Sequence, residues 1–195
     1  MASAASVQPP TIYRLVGDKD ALLDAVAEHE LAAYIATKID AELSSDPVEA
    51  LRQGWDSHVA FGLSNPALFR IMSSKAGSSA AAEGLKMLAL RIHSIALAGR
   101  LHGSEERAVA TVHAACTGVI VAALAQLQSC ASLDLCTTTR EIIHQAITTI
   151  GPGEYEITTG STATALRARL PTAVGLTGGE RALMDELLLR LSNED

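Results

Sequence analysis

An all-α fold is predicted by three observations. Apolar residues recur at three- and four-residue spacing through most of the chain. The core material is alanine, leucine, isoleucine and valine, with aromatic residues at only 3%, and alanine and leucine are good helix formers. Helix-start devices punctuate the runs: Asp46-Pro47, Asn65-Pro66, Ser104-Glu105-Glu106 and Thr177-Gly178-Gly179-Glu180.

The 195 residues are 48% hydrophobic, enough to build a real core in one or two domains. The formal net charge is −7, so bulk electrostatics do not point to nucleic acid. Any DNA contact has to come from a small local patch. No run of about 18 apolar residues without a charge is read, and no membrane span or secretory signal is expected. Cys116, Cys130 and Cys136 are an odd set without metal-type pairing, which fits a reduced, cytoplasmic chain.

The elements follow in order. Pro9 and Pro10 open a short helix, which Gly17 breaks after Val16. Asp18 then caps a long amphipathic helix to about Leu43, carried by Leu22, Leu23, Val26, Leu31, Tyr34, Ile35 and Ile39. Asp46 caps the next helix, with Pro47 in its first turn and Glu49 placed to close a capping box. Leu51, Trp55, His58, Val59 and Leu63 point inward from it. Asn65-Pro66 starts a short helix over 67–72. Residues Lys75 to Ala82 read as a flexible connection. The helix after it carries Leu85, Leu88, Ile92, Ile95 and Leu101, with Gly99 or Gly103 at its end. The helix from Ser104 is apolar nearly all round between Ala114 and Leu127, so it is expected to be buried on several sides.

A loop around Ser129 to Leu135 leads to a helix with a stripe of Ile142, Ile143, Ala146, Ile147 and Ile150. Gly151-Pro152-Gly153 stops it. Residues 154–162 are read as a surface loop and Ala163 to Leu170 as a short helix. Thr177 to Glu180 is a capping box ahead of a final stripe of Leu183, Met184, Leu187, Leu188 and Leu191.

The stretch from Val7 to Lys19 carries a more specific signal. Thr11-Ile12-Tyr13, the apolar Leu15 and Val16, the Gly17-Asp18 break and Lys19 at the next helix start resemble the end of the helix-turn-helix in the tetracycline-repressor (TetR) family of transcription regulators. Ala4-Ala5-Ser6-Val7 looks like the last part of the small-residue pattern that precedes the family's recognition helix. The resemblance is specific over residues 4–31 and general, by helix order and length, beyond them. It implies a first helix and most of a second ahead of Met1, so the chain is read as truncated within the helix-turn-helix and as defective in DNA binding unless the head is complete. It also implies two parts: residues 1–43 as the remnant of the DNA-binding head with its connecting helix, and 44–195 as a ligand-binding and dimerisation body.

In the family the recognition helix enters the major groove. The matching positions here are Gln8, Pro9, Pro10, Thr11, Tyr13, Arg14 and Leu15. Gln8 and Arg14 carry base-edge donors and acceptors, Thr11 and Tyr13 suit phosphate hydrogen bonds, and Lys19 suits a phosphate charge contact. Leu15 departs from the histidine or aromatic residue common there. The resemblance further implies a homodimer through helices near 105–127 and 136–150, operator DNA as partner, and a small-molecule effector. The effector would favour one tilt of the helix at 18–43, and so one spacing of the two heads.

A body pocket would be mostly apolar with few polar groups. The inward positions offered for it are Trp55, His58, Phe69, Met72, Met87, His93, His113 and Cys116. His113 and Cys116 share i, i+3 spacing, but two ligands do not make a metal site, and no metal or other cofactor is expected. No nucleophile elbow, phosphate-cradling loop or His-Glu-x-x-His occurs, so an enzyme is not expected. The alternative to the regulator is a helical dimeric ligand-binding protein without a DNA role.

Overall fold

The structure, a computed structural model, describes residues 17–18, 21, 25, 44–74, 79–125, 131–148 and 158–193. Among them lie seven α-helices and no strand, so the fold is all-α: α1 (Pro47–Ser64), α2 (Pro66–Ser74), α3 (Ser79–Leu97), α4 (Glu105–Ala125), α5 (Ala131–Ile147), α6 (Thr159–Arg169) and α7 (Gly178–Leu191). A short 3-10 turn, Leu170–Thr172, links α6 to the segment before α7. The chain forms two compact units, one of residues 1–42 and 65–84, the other of 43–64 and 85–195. The short helix expected at 10–16 and almost all of the long helix expected to reach Leu43 lie outside the described residues.

In the first unit, Gly17 takes φ +100°, which a side chain would resist. The Asp18 carboxylate accepts from the Ala21 N–H at 2.8 Å, and Ala21 and Ala25 are helical. This is the break-and-cap expected there. Helix α2 begins as Asn65-Pro66 predicts, with the Phe69 N–H donating to the Asn65 carbonyl at 2.9 Å.

In the second unit, α4 and α5 pack on each other and both pack against α1, while α6 and α7 form a C-terminal pair. Helix α1 starts as anticipated: Asp46 Oδ1 accepts from the N–H groups of Val48 and Glu49 at 2.8 and 3.4 Å. The Asp46 N–H is taken by Ser44 Oγ at 3.2 Å, the role expected of Glu49. Arg100 also donates to Asp46 Oδ1 at 2.8 Å and holds that carboxyl below the usual carboxylate range. Leu51, Trp55 and Val59 are buried, as their spacing predicts. Helix α3 ends at Leu97, and Gly99 and Gly103 both follow at φ +71°.

Helix α4 buries Ala108, Val112, Cys116, Val119, Ile120, Ala123 and Leu124. By length and composition it is apolar enough to cross a membrane, which the sequence reading did not anticipate. Part of its surface is nevertheless committed to α1 and α5.

Five expectations about the elements are corrected. Helix α5 starts at Ala131, inside the stretch around Ser129 to Leu135 read as a loop. Helix α3 starts at Ser79, inside the stretch read as a connection; three successive alanines outweigh the Gly and Ser composition. Helix α6 starts at Thr159, inside the stretch read as a loop, because Thr158 and Ser161 form a capping box at 3.0 and 3.2 Å. The buried side of α5 runs through Cys136, His144 and Ile147, whereas Ile142 is 58% exposed. The final stripe on α7 turns only Leu188 fully inward, against Ala163 and Leu170, with Met184 half-buried; Leu183, Leu187 and Leu191 are exposed.

Polar bonds fix the C-terminal pair. Arg167 on α6 donates to Asp185 of α7 at 2.8 Å and to Glu106 of α4 at 2.9 Å. Thr164 Oγ1 donates to the Gly103 carbonyl at 2.8 Å, and Arg169 donates to the Leu97 carbonyl at 2.7 Å. Helix α7 starts on the predicted box: the Glu180 N–H reaches Thr177 Oγ1 at 3.3 Å, and the Thr177 N–H reaches Glu180 Oε2 at 2.8 Å. Thr177→Ala is expected to cost about 1 kcal/mol. Urea unfolding checks it, and an unchanged midpoint would contradict the assignment.

Candidate functional site

The most unusual chemistry in the described residues lies where α1 meets α5. Trp55 sits one helical turn beyond Leu51 and one before Val59, so the apolar stripe of α1 carries it inward. His144 sits eight residues after Cys136 on the buried side of α5. The two rings meet edge to face, with centroids 6.2 Å apart and planes at 86°. Trp55 is 3% exposed and His144 fully buried.

Neither nitrogen of His144 has a hydrogen-bond partner, and neither does Trp55 Nε1. Buried polar atoms without partners are uncommon because each forfeits its hydration. Burial is also the main reason the His144 imidazole is pushed down to about 4, with Arg52 as the next cause. At neutral pH the ring is therefore uncharged, with one nitrogen able to donate and the other to accept.

A band of charge lies over this apolar contact. Arg52 of α1 donates to Glu141 of α5 at 2.6 Å. Arg140 donates to Glu141 at 2.9 and 3.1 Å and closes a bridge to Asp56 of α1. Two arginines and two carboxylates thus link α1 to α5 beside His144. On the other side of α1, Gly54 gives room to Arg91: a Cβ there would come within 2.1 Å of the Arg91 guanidinium.

Of the residues offered for a body pocket, the structure brings Trp55 to this contact. Cys116 and Phe69 are buried, while His58 and Met87 are half-buried. His93 is also half-buried and pairs with Glu105, its Nδ1 lying 3.1 Å from Oε2. His113 is exposed, which corrects its inward placement and puts it on a different face from Cys116. The side chain of Met72 lies outside the described residues, as do Gln8, Pro9, Pro10, Thr11, Tyr13, Arg14 and Lys19. Among the described residues no three of His, Cys, Asp and Glu converge as a metal site would need.

His144 was missed because the isoleucines of α5 set the stripe. The four-residue steps Cys136, Arg140, His144 and the three-residue step to Ile147 are the signal that points to it.

No protein-family model matches the chain, and neither a curated protein nor a solved structure matches it.

Proposed function

We propose that this chain is a TetR-like transcription regulator, a repressor that binds operator DNA as a cytoplasmic homodimer and leaves it when a small molecule occupies the body. The observation that carries the reading is the turn at Gly17-Asp18. Gly17 takes a positive φ and the Asp18 carboxylate caps the Ala21 N–H, and in the sequence this break follows the Thr11-Ile12-Tyr13 core and precedes Lys19. That order of break, cap and cation is what the family resemblance rests on. Selection from random duplexes tests it. The reading requires enrichment of two-fold related half-sites about one helical turn apart by this chain or by a form carrying any residues encoded in frame upstream of Met1, and pools unenriched by both contradict it.

The dimer is proposed through α4 and α5. Helix α4 leaves Ala110, Ala114, Gly118, Val121 and Ala125 exposed, and α5 leaves Leu135 and Ile142 exposed. Small residues let two such helices approach closely, and a two-fold dimer presents the same patch twice. A Cβ on Gly118 would meet nothing within 4 Å, so Gly118→Arg leaves the single chain intact. Sedimentation should give twice the 20.3 kDa chain mass for the native protein and the single mass for Gly118→Arg. Equal masses for the two proteins would remove this interface.

A further inference from the structure

We propose that His144 is a proton-operated release for the contact between α1 and α5. The proposal stands apart from the regulator reading and needs neither DNA nor effector. Its basis is geometric. The imidazole is fully buried, both of its nitrogens lack partners, and its ring is packed against Trp55 across the helix contact. A proton added to this ring gives a cation with two N–H donors and nothing within the contact to accept from them.

The charged groups around the ring make the cation less welcome. From α1 come Arg52 and Asp56, and from α5 itself Arg140 and Glu141. The two carboxylates would attract an imidazolium, but both are already held by the two arginines. Helix α4, packed against both, buries Val112, Cys116, Val119 and Ile120 on its inner side, of which only Cys116 titrates. No described group on α4 offers a counter-charge at this contact. A buried cation without hydration or a free partner is relieved most directly by exposure. Parting α1 from α5 at Trp55 and His144 lets water reach the ring while each helix keeps its own backbone bonds. Protonation therefore favours the parted arrangement over the packed one, a two-state bias set by a single proton.

Trp55 reports on this contact without labelling, because it is the one tryptophan in the chain. The test follows its fluorescence from pH 7.5 down to about pH 3.5, together with far-ultraviolet circular dichroism and the carbon-bound ring protons of His144 by NMR. The expected result has three parts. Trp55 emission moves to longer wavelength, the helical signal stays, and His144 titrates with the same midpoint as the emission. His144→Leu should hold the neutral-pH emission across the whole range. If that variant does not fold, coincidence of the two native midpoints decides. Unchanged emission in the native protein, an identical shift in His144→Leu, His144 titration without a Trp55 response, or loss of the helical signal along with the emission shift would each overturn the proposal.

Discussion

Trp55→Ala is expected to lower the unfolding free energy by about 3–5 kcal/mol. The indole is 3% exposed in the middle of α1 and fills the space against α5. Truncation removes its buried apolar area and leaves a cavity that the helix backbones cannot collapse to fill. It also removes the ring that meets His144 edge to face, so a buried imidazole loses a neighbour and gains none. Folded domains hold only about 5–15 kcal/mol in total, so the variant should unfold at much lower urea. The slope of the urea dependence should stay the same, since the native fold is unchanged. A loss under about 1 kcal/mol would mean that α1 and α5 do not meet through this ring.

Acid should weaken the native protein in a window set by His144. Its imidazole is held near 4 in the folded chain against an ordinary value of 6.5. The unfolded chain therefore binds the proton more readily than the folded one between those values. Stability from this group is complete above pH 6.5, declines as pH falls, and is gone once pH passes below 4. The full difference is roughly 3 kcal/mol. Carboxylates act lower on the scale. Asp46, Glu106 and Glu141 are held down by Arg100, Arg167 and Arg140, so their contribution is present above the ordinary carboxylate range and is lost below it. Urea unfolding at pH 7.5, 5.5 and 4.5 separates the two. A native protein equally stable at pH 7.5 and 4.5 would show that His144 is not buried neutral.

Much of the fold was legible because helix starts are local. Asp46 and Thr177 cap where their side chains reach N–H groups two and three residues on, and no tertiary contact is needed to see it. The same kind of signal at Thr158 and Ser161 went unread because a threonine- and glycine-rich stretch resembles a loop. Which side of a helix is buried is a tertiary outcome. On α5 the isoleucines marked the stripe in the sequence, yet the packing of α1 and α4 turned Cys136, His144 and Ile147 inward and left Ile142 out. On α7 three leucines face solvent for the same reason: α6 is a short partner and covers only Leu188 and part of Met184. Of the candidate site, Trp55 was visible from its place on a stripe, but its partner His144 was not, since ring-to-ring contact depends on how two helices meet. The DNA-facing residues rest on resemblance alone.

The measurement that bears most directly on the regulator reading is a salt titration of binding to the selected duplex, with the chain and with a form carrying any residues encoded in frame upstream of Met1. On the regulator reading each head offers the hydroxyls of Thr11 and Tyr13 and the cation of Lys19 to phosphates, and only the cation releases counterions. A dimer with two such cations should lose roughly tenfold in affinity between about 50 and 200 mM salt. The reading predicts at least that fall for at least one of the two forms, with Arg14→Ala weakening the selected sequence more than an unrelated one. If neither form binds duplex in a salt-dependent manner, the chain does not act on DNA, and the account of it as a regulator is wrong.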